Sequence, residues 1–283
     1  FKVLAAAEPL SIQAHPNQRQ ARDGFERENN LGIPLTAPNR NYRDPNHKPE
    51  LICALTPFWA LNWFRHVDDM VVNMSKVAFG PLKALIEGLS RENPEQALKT
   101  YFHKLMTLPP ETAGQVVEAV IQRCLAFRTD PVFDWVHRLN AAYPGDIGTL
   151  SPLFLNLICL EPGEAMFIES GRLHAYLEGT GIELMANSDN VLRGGLTPKH
   201  KDVDELMKVL RFDSVNIDLV QTRQRENQLD YLTPASEFWL SHIVVSSDSE
   251  YRSDGTRNVE ILLCIDGDTV FLDNSADQIA VCK

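Results

Sequence analysis

No CxxC pair occurs in the chain, and its five cysteines, Cys53, Cys124, Cys159, Cys264 and Cys282, are odd in number and widely spread. That argues against a zinc–thiolate site and against a disulfide framework, and the thiols are expected to be reduced and buried, the state favoured in the cytoplasm. No apolar run approaches the ~18 to 20 residues that a membrane helix needs. Basic residues are in deficit, 27 Lys and Arg against 38 Asp and Glu, a net charge of −11. Nucleic acid and anionic membranes select clustered cations, so neither is expected as the main partner. A small anion needs only a few local cations and stays open. Low-complexity segments and repeats at any obvious period are absent. The chain also lacks an initiator Met: Phe1 to Ala7 reads like the middle of a strand, too short and weakly basic for a signal peptide, so natural residues are expected before Phe1.

What is present is a globular chain of 283 residues with 44% hydrophobic side chains, enough for a sizeable core in one large or two to three small domains. Residues 1–65 read as strands and loops. Leu10 to His15 alternates as a half-buried strand does, with Ser11, Gln13 and His15 on one face and Leu10, Ile12 and Ala14 on the packed face. A long polar loop follows, then an apolar run Leu51 to Leu55 with Glu50 at its entrance. Residues 66–150 read as helical. Asn93-Pro94 is an N-cap with Pro in the first turn, apolar residues recur at helical spacing to Met106, and Pro109-Pro110 breaks the pattern before Val116 to Leu125. The aromatic stripes here, and His66, His103 and His137, suit core or surface roles better than chemistry. Strands return over 151–210, with a short helix expected at Asp202 to Leu210. Residues 211–283 suggest a second β domain from alternating runs such as Phe238 to Leu240 and Glu260 to Phe271, and it stops short of completion at Lys283.

The polar segment Asn41 to Glu50 holds a carboxylate, an imidazole and an ammonium between prolines that restrict the backbone. It also reads as ordinary turn chemistry. Gln13, His15, Glu50 and His174 are oxygen and nitrogen donors that strands could hold rigidly. Two imidazoles, a carboxylate and an amide oxygen suit a divalent first-row metal, zinc best.

Pro162 to His174, a Pro-Gly turn feeding a strand, a glycine and a histidine, resembles the second signature of the cupin β-barrels. Gln13-Ala14-His15 with Glu50 resembles a variant of the first signature, with Gln for its first His. Three blocks together, Leu10 to Asn17, Tyr42 to Glu50 and Met185 to Lys199, resemble the type I phosphomannose isomerase family over roughly residues 1–210. The resemblance implies cupin-like jelly-roll barrels, catalytic and C-terminal, plus an α-helical insert. It implies one zinc per chain on Gln13, His15, Glu50 and His174, and interconversion of mannose 6-phosphate and fructose 6-phosphate. Arg193, Lys48, Asp189 and Glu183 match catalytic positions, Ser11 and Lys199 substrate-binding ones, and His47 is a substrate contact or a further base.

Alternatives stand beside these roles. Arg193 before Gly-Gly could reach a ligand or pair with Asp189. Lys199 could be a solvated lysine, and Lys48 a partner of Glu50. Asp189 and Glu183 could act as acid or base or orient His174 and Arg193. Moving a proton between C1 and C2 through a cis-enediol needs a base, a proton donor and an electrophile, and this set contains all three. A non-catalytic metal- and sugar-binding cupin is the other reading. An iron dioxygenase fits the Gln ligand and the cations poorly. The expected protein is a cytoplasmic monomer acting on a small sugar phosphate.

Overall fold

The computed structural model describes all residues except 215–216, 254–258, 273–277 and 283, and among residues 273–283 no side chains. Its chain divides into two compact units, Phe1–Arg225 with Leu229–His242, and Glu226–Gln228 with Ile243–Lys283.

In the first unit the chain opens with β1 (Lys2–Ala6) and β2 (Ile12–Ala14), then α1 (Gln18–Asn30), β3 (Glu50–Ala54) and β4 (Phe58–Phe64). Helix α1 is a correction to the loop expected there. Asn17 caps it in a reciprocal box with Gln20, but only Ala21, Gly24 and Glu28 are buried, so no apolar stripe marked it. Then come α2 (Val67–Val77), α3 (Pro81–Glu87), α4 (Pro94–Met106), α5 (Pro110–Cys124) and α6 (Pro131–Ala142). The side chains of Asn93 and Asp130 cap α4 and α6, each with Pro in the first turn. A 3-10 turn at Ile147–Leu153, where a strand was expected from Pro152, leads into β5 (Leu155–Leu160), β6 (Ala165–Ile168), β7 (His174–Met185), β8 (Leu192–Gly195) and α7 (Val203–Val209).

One strand ties the sheet together. His174 and Ile182 lie on a single 12-residue strand, β7. Its first half pairs with β2 and β4, and its second half, beyond Gly179, pairs with β1 and β3. The eight strands follow the order β5-β4-β7-β2-β8, with β1 on β7 and β6 on β3. The largest core joins Ile12, Leu61 and Phe64 of the sheet to helical residues such as Tyr101, Phe102, Val120 and Trp135, so those aromatics are packing, as expected. A second core holds Ile52, Phe58, Met166, Ile168 and Tyr176. Leu10, expected on the packed face, is 38% exposed.

Further strands β9 (Thr222–Arg225), β10 (Gln228–Tyr231) and β11 (Leu240–Ile243) form a sheet in the order β11-β10-β9. In the second unit β12 (Thr269–Leu272) pairs with β13 (Gln278–Cys282). Of the run Glu260 to Phe271, only its last residues are strand, a second correction. Cys53 and Cys124 are buried while Cys159 and Cys264 are partly exposed, and all four are free thiols; the Cys282 side chain lies outside the described residues.

Candidate metal centre

Register builds the site. Gln13 on β2 lies opposite His174 of β7 on one side and Arg193 of β8 on the other, while Asn62 of β4 lies opposite His174. Cross-strand partners point to one face, so Asn62, His174, Gln13 and Arg193 form a row. His15 leaves the end of β2, and Glu50 opens β3. His15, Glu50 and His174 offer donor atoms within 4.8 Å of one another, and all three are buried. Gln13 shares this face, its Nε2 donating to Ser11 Oγ at 3.1 Å, which leaves Oε1 as its acceptor atom.

The two imidazoles are held in one tautomer. A backbone carbonyl can only accept, so His15 Nδ1 donates to the Asn190 carbonyl at 2.7 Å and His174 Nδ1 to the Arg172 carbonyl at 3.0 Å. That leaves the Nε2 atoms as the nitrogens available to a cation. They face the Glu50 carboxylate at 3.1 and 3.6 Å, and His15 Nε2 is buried with no hydrogen-bond partner. Two lone pairs turned on a carboxylate repel unless a cation or proton lies among them, and the anchored Nδ1–H groups are the arrangement that metal-binding histidines use. Burial pushes the His174 imidazole down to about 4, against the pull of Glu50. Burial alone would raise the Glu50 carboxyl, but His15, His174 and Lys48 hold it well below the usual range. Two imidazole Nε2 atoms turned on one carboxylate are a donor set that suits a divalent cation.

The remaining residues singled out from sequence fall in different surroundings. Lys48 Nζ lies 2.9 Å from Glu50 Oε1, so it does partner Glu50. Glu183 is buried and 3.0 Å from the ammonium of Lys2. Burial, then the charge of Glu50, raises its carboxyl. Arg193 Nε is buried with no hydrogen-bond partner, and burial followed by the charge of Arg43 lowers its guanidinium. Asp189 is exposed, its amide donating to Asp44 Oδ2 at 2.7 Å, and no Arg193–Asp189 pair forms among the described residues. His47 Nε2 lies 2.5 Å from Glu237 Oε1, and Lys199 is exposed. The Gly194-Gly195 backbone was expected to approach a ligand. Gly195, at φ +143°, instead meets the chain itself, since an added Cβ would lie 2.9 Å from the Gly148 Cα.

Four neighbours went unread in the sequence. Lys2 reaches Glu183 only because β1 pairs with β7 at Lys2↔Glu183. Tyr176 donates to Glu50 Oε2 at 3.3 Å. Asn62 is fully buried with neither amide atom bonded. Asn190 lies inside a recognised block, yet its neighbours in sequence give no hint that its carbonyl meets His15.

The chain is similar to known proteins. Residues 1–67 match the family model for the phosphomannose isomerase type I catalytic domain. Mannose-6-phosphate isomerases from Salmonella typhimurium and Escherichia coli are each 41% identical, over 95% of this chain and 68% of theirs. The human mannose-6-phosphate isomerase is 36% identical, over 95% of this chain and 66% of its own. The apo crystal structure of the Salmonella typhimurium enzyme superposes with a TM-score of 0.75 at 39% identity, covering 84% of this chain. A holo, zinc-bound mannose 6-phosphate isomerase gives 0.74 at the same identity and coverage. The chain spans 61% of the length of those solved chains.

Proposed function

The chain belongs to the type I phosphomannose isomerase family, and from that premise we propose that it interconverts mannose 6-phosphate and fructose 6-phosphate with one zinc ion per chain, the step that feeds mannose use and GDP-mannose synthesis. The observation that carries this reading is the convergence of two bare, buried imidazole Nε2 atoms on Glu50. Gln13, His15, Glu50 and His174 are the residues that would hold the zinc, whose chemistry is to polarise the substrate oxygens.

The protein's own groups do the rest. Lys48, Arg193 and Asp189 supply the base and the proton donors for transfer between C1 and C2, and Arg193 steadies the negative charge of the enediolate. Glu183 orients Lys2 beside the Glu50 side of the site. Ser11, His47 and Lys199 contact the substrate. The buried Nε of Arg193, without an acceptor among the described residues, supports an anionic ligand, because a buried donor without an acceptor is costly until one arrives.

The paired sheets belong, in this reading, to a cupin jelly-roll formed by residues 1–65 and 151–210, with 66–150 as a helical insert and 211–283 as part of a second barrel. A monomer in the cytoplasm, acting on a small sugar phosphate and not on nucleic acid, accords with the free thiols and the net charge of −11. No helix among the described residues is long and apolar enough to cross a membrane.

The test is turnover of mannose 6-phosphate by this chain in a coupled assay, after chelation and again after zinc is restored. Loss and recovery of activity are expected. Zinc bound at one per chain with no isomerisation would sink the isomerase reading and leave a metal-binding protein.

A further inference from the structure

Two loops, Tyr42 to Pro49 and Ala186 to Asn190, flank the centre without belonging to any sheet. Asn190 is fully buried between them. Its Oδ1 accepts from the backbone amides of Arg43 at 2.7 Å and Asp44 at 3.3 Å. Its Nδ2 donates to the carbonyls of Asp44 at 2.8 Å and Asn46 at 2.9 Å, and to Asp44 Oδ1 at 3.3 Å. Its own amide donates to Ser188 Oγ, and its carbonyl takes the Nδ1 proton of His15.

These bonds have a shape that only a primary amide meets. One end faces two N–H donors and the other faces three oxygens, so both polarities are required on one short side chain. Aspartate would set an oxygen against three oxygens and bury its charge, and glutamine would force an extra methylene into a filled slot. The same residue thus latches the loop that carries Lys48 and leads into Glu50, and presents the carbonyl that holds His15 by Nδ1.

We propose that Asn190 is a positioning residue for the metal centre: its amide fixes the 43–46 segment against its own backbone, and its carbonyl thereby holds the His15 ring by Nδ1 with Nε2 aimed at Glu50. The inference rests on the zinc reading above. With the latch broken, the 190 carbonyl is free to move and the His15 ring loses the anchor that aims its Nε2 at the Glu50 carboxylate. Partners of this kind hold roughly 10- to 100-fold in metal affinity.

Nitrogen-15 correlation spectra of the metal-free chain read the His15 tautomer directly, and competition with a chromophoric chelator reads zinc affinity. In the natural sequence His15 is expected to carry its proton on Nδ1. In Asn190→Asp, and in the uncharged Asn190→Ser should the first fail to fold, the spectra are expected to lose the hydrogen-bonded Nδ1–H signal of His15 and zinc to bind roughly 10- to 100-fold more weakly. Asn46→Ala removes a peripheral bond between the same loops, Nδ2 to the Asn187 carbonyl at 3.4 Å, and is expected to change neither reading. An Nδ1 without a proton on His15 in the natural sequence would overturn the proposal. So would an unchanged Nδ1–H signal and affinity in the Asn190 variants, or an equal loss in Asn46→Ala. A natural chain that binds no zinc counts against the function proposed above, and the tautomer comparison still decides the role of Asn190.

Discussion

Glu50 sits among two imidazole lone pairs, the Lys48 ammonium and the Tyr176 hydroxyl, with 3% of its surface exposed. Its carboxylate is the only negative charge in that group, so its charge decides what the site can hold. Glu50→Gln keeps the shape and removes the charge. The new amide can also donate to His15 Nε2, satisfying in the metal-free state the atom that otherwise has no partner. Zinc by elemental analysis is therefore expected to fall from one per chain to almost none, with isomerase turnover lost. The metal-free melting temperature is expected to fall, because the carboxylate that the Lys48 ammonium pairs with is gone. Full zinc occupancy in the variant would remove Glu50 from the ligand set.

Helix α1 shows how the elements serve this residue-scale chemistry. It lays Gly24 against the ring of Tyr42, the tyrosine that opens the Tyr42 to Glu50 block, and an added Cβ would lie 2.5 to 2.6 Å from ring carbons. The ring cannot retreat freely: it is buried, and its hydroxyl donates to Glu205 Oε1 at 2.8 Å, which also pairs with Arg27 at 2.6 Å. Gly24→Ala gains about 1 kcal/mol of helix propensity but overpacks the contact at a cost of roughly 1–3 kcal/mol. A net loss of stability in denaturant titration is expected, with zinc affinity falling if the loop shifts. A stabilised variant would show that α1 and Tyr42 can separate cheaply.

That helix was illegible in the sequence for the same reason. A 13-residue helix that buries only Ala21, Gly24 and Glu28 has no apolar period, and its one signal, the Asn17–Gln20 capping box, is short. Helix α4 was legible because a polar cap, a first-turn Pro and apolar spacing agreed. The alternation of Ser11, Gln13 and His15 similarly indicated one face of a strand. Lys2, Asn62 and Asn190 were beyond reach, since register and a backbone carbonyl, not side-chain pattern, bring them to the centre.

At the scale of the whole molecule, the centre draws on β2, β3, β7 and the loop ending at Asn190, which are far apart in sequence and meet only in the folded state. A cation bound there binds the native state and not the unfolded chain, so it must stabilise the fold by mass action. At free zinc 100 times the dissociation constant the gain is about 2.7 kcal/mol, or roughly 5–10 °C in the melting temperature of a unit this large. The expected result is a melting temperature that falls by that amount on chelation, returns with zinc and scales with the logarithm of zinc concentration. Glu50→Gln should abolish the shift, because the charge that pairs with the cation is gone. A zinc-independent melt in the natural chain would mean that these strands do not share a bound cation, whatever their geometry suggests. A zinc-dependent melt that survives Glu50→Gln would place the stabilising ion elsewhere in the molecule.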